Sequence, residues 1–307
     1  MKTSLAAFLA LLYSSSNVSA FQKPLRRVQR SSNPRKVVSG DVEPILEKTA
    51  RILTQNGPPF QPEFDALVRS VFPNALNSSD FQYRAIAALA DQGFSTANTL
   101  LVTSLCSDEL AKRLTDDLES IYGNSFNLGG LAGFPFAGNI GFQTMSGHIP
   151  DGGCCLLVYG PHVGLAADGS IGVVERKGVS VNESCCTSAI KACESILQGA
   201  TPSAMDMFSD LQQGQVQTQL TPFSDRLVAS QYPMLELPYL LFETQNRLVE
   251  SIVSENIAGV KEGGIALLGG VQINTGPNTL DYFHPLRFDL VSNRGQLVEN
   301  MLPRLQS

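Results

Sequence analysis

The sequence predicts an α/β fold with a mainly parallel sheet flanked by helices, and three observations carry that expectation. Short apolar runs containing β-branched residues alternate with segments of helical periodicity, the order typical of layered α/β proteins. The runs themselves, such as Thr99-Leu-Leu-Val-Thr-Ser-Leu105 and Cys154-Cys-Leu-Leu-Val-Tyr159, suit strands covered on both faces. With 43% hydrophobic and 16% charged residues over 307 positions, the chain is long and apolar enough to bury such a sheet.

Taken in order, residues 41–70 place Ile45, Ala50, Ile52 and Leu53, then Phe64, Leu67, Val68 and Val71, at helical spacing. The intervening Gly57-Pro58-Pro59 breaks the helix. A further helix over 80–92 turns Ala85, Ile86, Ala88 and Leu89 inward. The strand over 99–105 ends at Cys106, and Ser107 is expected to cap a helix carrying Leu110, Leu114, Leu118 and Ile121. The Gly-rich segment 129–138 has no lysine and no P-loop setting, so its glycines are read as allowing close backbone approach.

The second strand runs into Gly160-Pro161-His162-Val163-Gly164, and a turn at Asp168-Gly169 makes residues 171–175 a hairpin excursion. Ser184 is expected to open a helix over 185–197, with Ala189, Ile190, Cys193 and Ile196 on one face. Residues 203–256 read as largely helical, and 264–273 and 282–291 as two later strands. Without an internal repeat or linker, residues 41–307 are expected to form a single domain.

The N-terminus reads as an address. Lys2, an apolar run over 5–12 and Ser-Asn-Val-Ser-Ala make residues 1–20 a signal peptide, its apolar run too short to span a bilayer. Residues 21–40, starting at Phe21, are rich in Arg, Ser and Pro and lack acids, as transit peptides do. A signal peptide joined to a transit peptide at Ala20-Phe21 resembles the bipartite presequence of diatoms and related algae, which implies a plastid location. The plainer alternative is a secretory signal with a basic propeptide.

Seven of the 22 basic residues lie in 1–40, so 15 remain against 28 acids. That excess argues against nucleic acid or an anionic membrane as partner, since phosphate binding needs clustered Lys and Arg. A small neutral or gaseous substrate fits better.

Six cysteines, two pairs of them adjacent, do not resemble a disulfide scaffold. Cys106 and His162 each follow a strand, and Cys185 and Cys186 follow Ser184. Open α/β sheets place their sites beyond strand carboxyl ends, and a helix N-terminus favours a thiolate. Two thiolates and an imidazole make a tetrahedral zinc site with one open position, the catalytic pattern. Each residue taken singly is equally readable as core.

More specific are the blocks Ser104-Leu-Cys-Ser-Asp-Glu109, Gly130-Leu-Ala-Gly-Phe-Pro-Phe-Ala-Gly138, His148-Ile-Pro-Asp-Gly-Gly153, Tyr159-Gly-Pro-His-Val-Gly164 and Ser184-Cys-Cys-Thr-Ser-Ala189. In this order they resemble the limiting-CO2-inducible protein B family, which includes the theta-class carbonic anhydrases. The likeness extends more weakly to Gln272-Ile-Asn274 and Asp281-Tyr-Phe283.

The resemblance implies a fold similar to beta-class carbonic anhydrases, a homodimer, and zinc held by Cys106, His162 and Cys186, with Cys185 as the alternative ligand. It further implies reversible hydration of CO2 to bicarbonate in a plastid carbon-concentrating mechanism. Asp108 would orient the nucleophile. The arginine expected two residues after it is Leu110 here, so Arg176 is assigned as the substitute partner. His148, in a block with Asp151, is a candidate proton carrier, and the alternative is that both only fix a turn. His284 is read as structural, and Leu131, Phe134 and Phe136 line a dry pocket or belong to the core. The main competing function is a catalytically silent scaffold or bicarbonate-binding subunit. A Cys-His hydrolase using Cys186 and a thiol redox protein, which lacks the usual Cys-x-x-Cys spacing, are the others.

Overall fold

The computed structural model describes residues 42–55, 58–179, 181–200 and 208–306. The signal and transit segments expected over 1–20 and 21–40 lie outside the described residues, as do 203–207 of the largely helical stretch and Gly57 of the first helix break. Short 3-10 turns aside, the elements are α1 (Val42–Gln55), α2 (Pro62–Val71), β1 (Leu76–Asn77), α3 (Ser78–Ala90), β2 (Thr99–Ser104), α4 (Glu109–Tyr122), β3 (Phe126–Asn127) and α5 (Gly138–Ser146). There follow β4 (Cys154–Tyr159), β5 (His162–Gly164), β6 (Val173–Glu175), β7 (Asn182–Ser184) and α6 (Thr187–Leu197). The rest are α7 (Leu211–Leu220), α8 (Ser224–Ala229), α9 (Pro233–Asn256), β8 (Ile265–Asn274), β9 (Tyr282–Val291) and β10 (Leu297–Asn300).

The main sheet runs β1-β9-β8-β4-β2-β3, with β10 also paired to β9 and β5 to β8. Its centre is parallel, β3 to β2 to β4 to β8, and β5 is parallel to β8 as well. On the far side β9 is antiparallel to β8, and β1 and β10 to β9. The sheet is therefore mixed, because the seven residues 275–281 between β8 and β9 are too few for a parallel crossover.

Alternation along β4 distributes its side chains to two cores. Leu156 and Val158 meet α1, α3 and α4 through Ile45, Leu89 and Leu118. Cys155, Leu157 and Tyr159 meet α2, α5 and α9 through Val68, Phe142 and Val249. A third apolar cluster joins α6, α7 and α9 to Cys106, Ala132, Phe134 and Cys186.

Two local expectations are corrected. The excursion after β5 closes with an antiparallel bridge between Leu165 and Ile171, but β6 then pairs with β7 in a separate two-stranded sheet. The exposed Asn182-Glu183-Ser184 of β7 carries no apolar signal, so the sequence hides it. Ser184 consequently ends a strand, and helix α6 starts at Thr187, after Cys186 turns the chain with a left-handed φ of 59°.

Glycine is required where β4 leaves the sheet. Gly160 has a positive φ, and a Cβ there would overlap the Gly270 carbonyl oxygen of β8. Gly160→Ala should therefore lower unfolding stability in urea by about 2 kcal/mol or more; an unchanged midpoint would contradict this packing.

His284 of β9 is buried between the rings of Phe72 and Tyr239, as its structural reading expected, and burial pulls its imidazole down to about 4. Below its ordinary pKa of about 6.5 the unfolded chain takes up a proton that the folded one refuses. Its contribution is thus intact at neutral pH and is lost as pH falls from about 6.5 towards 4. Between about pH 7 and about pH 5, His284→Phe should lose about 2 kcal/mol less stability than the wild type, as read from paired urea titrations; parallel losses would refute this.

Candidate metal centre

Three segments meet beyond the carboxyl ends of β2 and β4. Cys106 lies two residues past the end of β2, and next to it the Gly-rich segment folds back: the Ser104 hydroxyl donates to Gly133 O at 2.9 Å. Only glycine fits at 133, where a Cβ would overlap the Gly160 carbonyl oxygen. His162 opens β5, which resumes pairing with β8 after the Gly160-Pro161 step. Cys186 is the residue that turns β7 into α6.

One ligand atom from each of Cys106, His162 and Cys186 lies within 4.8 Å of the others, and all three residues are buried. His162 Nδ1 stands 2.8 Å from Asn274 Oδ1. The Asn274 amide nitrogen donates to Leu110 O at 3.0 Å and to Asp281 Oδ2 at 3.4 Å. Its oxygen therefore faces the ring, and Nδ1 carries the proton. Nε2 is left as a buried acceptor without a hydrogen-bond partner among the described residues. An orphaned imidazole nitrogen beside two thiols fits a divalent cation such as zinc, with a fourth position free.

Cys185 is not part of this cluster. Its sulfur lies 3.5 Å from Nδ1 and 3.6 Å from Asn274 Oδ1, on the Nδ1 side of the ring. Of the vicinal pair, Cys186 is the one that converges.

The protonation of the cluster shows what a cation would displace. A hydrogen bond from the Cys186 thiol, helped by His162 and opposed by burial, draws Cys106 down to about 4. The same bond, with burial, pushes Cys186 well up. Burial alone would discharge His162, but the sulfurs of Cys186 and Cys185 outweigh it and raise its pKa. A cation held there would displace the protons these groups carry.

Asp108 is the N-cap of α4, the role expected of Ser107, and its Oδ1 accepts from Leu110 N at 3.0 Å. Arg176, just past β6 and named from the sequence as the substitute partner, donates to both carboxylate oxygens at 3.4 and 3.2 Å. The guanidinium also pairs with Glu109, reaches Glu183 at 3.7 Å and donates to Ser184 O at 3.1 Å. Burial resists ionisation of Asp108, but Arg176 and the Leu110 N–H prevail and hold it below the usual carboxylate range.

His148 does not join the centre. It precedes the start of β4, whereas Cys106 and His162 follow the ends of the parallel strands β2 and β4. Exposed at that opposite end, it rests edge-on against Phe126, with ring centroids 5.6 Å apart. Asp151 is likewise exposed and pairs with Lys261 at 3.3 Å.

Phe134 belongs to the apolar cluster of Cys106 and Cys186, with Leu131 and Phe136 packed against it. Asn274 and Asp281 were not assigned roles in advance. The buried polar pair Gln272 and Asn274 in the otherwise apolar β8, and the block Asp281-Tyr-Phe283, were the available signals. No described helix is long and apolar enough to cross a membrane.

Comparison with known proteins agrees with this geometry. The family model described as limiting CO2-inducible proteins B/C, beta carbonic anhydrases, matches residues 75–292. The crystal structure of PtLCIB4, a diatom homologue of the limiting CO2-inducible protein LCIB, is 39% identical over 77% of this chain and 99% of its own, with a TM-score of 0.73. Its H88A mutant is 38% identical over 78% and 99%, with a TM-score of 0.74. LCIB itself, at 21% identity over 75% and 96% and a TM-score of 0.57, shares the fold. Among curated proteins none matches the chain. With the matched segment spanning the whole Cys106, His162 and Cys186 cluster, the chain belongs to the limiting CO2-inducible protein B/C family of beta carbonic anhydrases.

Proposed function

We propose that the protein is a zinc-dependent carbonic anhydrase that interconverts CO2 and bicarbonate. The observation that carries this reading is the buried Cys106, His162 and Cys186 cluster with an unpartnered Nε2, beside a carboxylate clamped by Arg176. Those three residues would hold the metal. Zinc bound there supplies the Lewis acidity that makes water a nucleophile at neutral pH.

The remaining work falls to the chain. Asp108, kept ionised, accepts a hydrogen bond from the attacking water and so aims its lone pair at the carbon of CO2. Arg176 and the Leu110 N–H keep that carboxylate from swinging onto the metal as an extra ligand. Ala132 and Phe134, buried beside the cysteines, keep the approach apolar, which favours CO2 over bulk water.

The presequence pattern over 1–40 and the diatom relative support a plastid location, in a carbon-concentrating role. The family resemblance supports a homodimer built from one carbonic-anhydrase-like domain per chain.

Stopped-flow CO2 hydration tests the proposal. The purified chain should contain about one zinc per polypeptide and lose both metal and activity in His162→Ala. A zinc-loaded chain no faster than buffer would instead favour the scaffold or bicarbonate-binding reading. Arg176→Met should retain zinc but lose about 10- to 100-fold in turnover; full turnover in that variant would remove Asp108 from the mechanism.

A further inference from the structure

We infer that Asp281 is a positioning residue for His162, acting through the side-chain amide of Asn274; this rests on reading Cys106, His162 and Cys186 as a metal site. An asparagine amide can face its neighbour with either end. If Asn274 turned its NH2 towards the ring, Nδ1 would have to accept, and the ring proton would move to Nε2, where it blocks a cation. Something must therefore select the oxygen.

Two acceptors hold the Asn274 nitrogen on the other side, Leu110 O at 3.0 Å and Asp281 Oδ2 at 3.4 Å. Leu110 O is shared with Gln272 Nε2 at 3.3 Å. Leu110 O and Asp281 Oδ2 both only accept, so together they fix which end of the amide faces the ring, and Asp281 is the side-chain member of that pair. The carboxylate is buried, 7% exposed, and is itself fixed by the Thr275 N–H at 2.9 Å and hydroxyl at 3.3 Å, with Arg113 at 4.0 Å. Burying a carboxylate is costly unless its oxygens are satisfied in this way.

The relay reaches further than the imidazole. Leu110, whose carbonyl accepts from Asn274, donates its own N–H to Asp108 Oδ1.

The test compares full-length wild type with Asp281→Asn and Asn274→Ala, measuring zinc affinity by competition with a chromophoric chelator. Nitrogen-edited proton spectra of the zinc-loaded proteins would follow the His162 Nδ1–H. In Asp281→Asn the affinity should fall about 10- to 100-fold and the Nδ1–H should exchange faster with solvent. Asn274→Ala should show the same loss. Either variant, folded and holding zinc as tightly as wild type, would overturn the inference, as would a zinc-loaded wild type lacking a protected Nδ1–H. Failure of the wild type to bind zinc at all would be a different result, one that removes the metal site itself.

Discussion

Two thiols and an imidazole gathered within 4.8 Å in a buried pocket impose the constraint around which the rest of this structure is arranged. Burial, the neighbouring sulfurs and a shared thiol proton pull against one another there, drawing Cys106 down and pushing Cys186 and His162 up. His162 Nε2 has no hydrogen-bond partner among the described residues. A divalent cation held by these three side chains would replace the protons and take up the open donor atoms.

The scaffold supplies convergence through ordinary sheet geometry. Parallel β2 and β4 end side by side, so residues that follow them, far apart in the chain, become neighbours. Close backbone contacts at Gly133 and Gly160 draw the Gly-rich segment and β8 against those ends. The small β6-β7 sheet then brings Arg176 to Asp108 from a third direction. Remote packing elsewhere in the two apolar cores holds the strands; the site depends on these few approaches.

Much of this was legible in the residues. Apolar runs at 99–105 and 154–159 marked β2 and β4, and helical spacing marked α1 to α4, because burial on both faces of a sheet leaves a strong pattern. The cysteine and histidine blocks indicated the cluster, and the missing arginine at Leu110 pointed to a substitute from elsewhere, met by Arg176. What remained hidden has a physical reason in each case. β7 and β3 are two or three residues long and polar or partly exposed, so they leave no periodicity. The left-handed Cys186 delays the start of α6 in a way that helix propensity does not register. His148 shares its block only with Asp151 and precedes β4, whereas the cluster follows the ends of β2 and β4, and a sequence block does not reveal strand direction. Whether Cys185 or Cys186 converges depends on the side chains around the ring, which only coordinates can give.

X-ray absorption at the zinc edge of the purified protein addresses the central claim most directly. The account predicts a first shell of two sulfurs at about 2.3 Å and one imidazole nitrogen at about 2.0 Å, completed by one light atom. A spectrum with no zinc, or with oxygen and nitrogen alone around it, would contradict the claim.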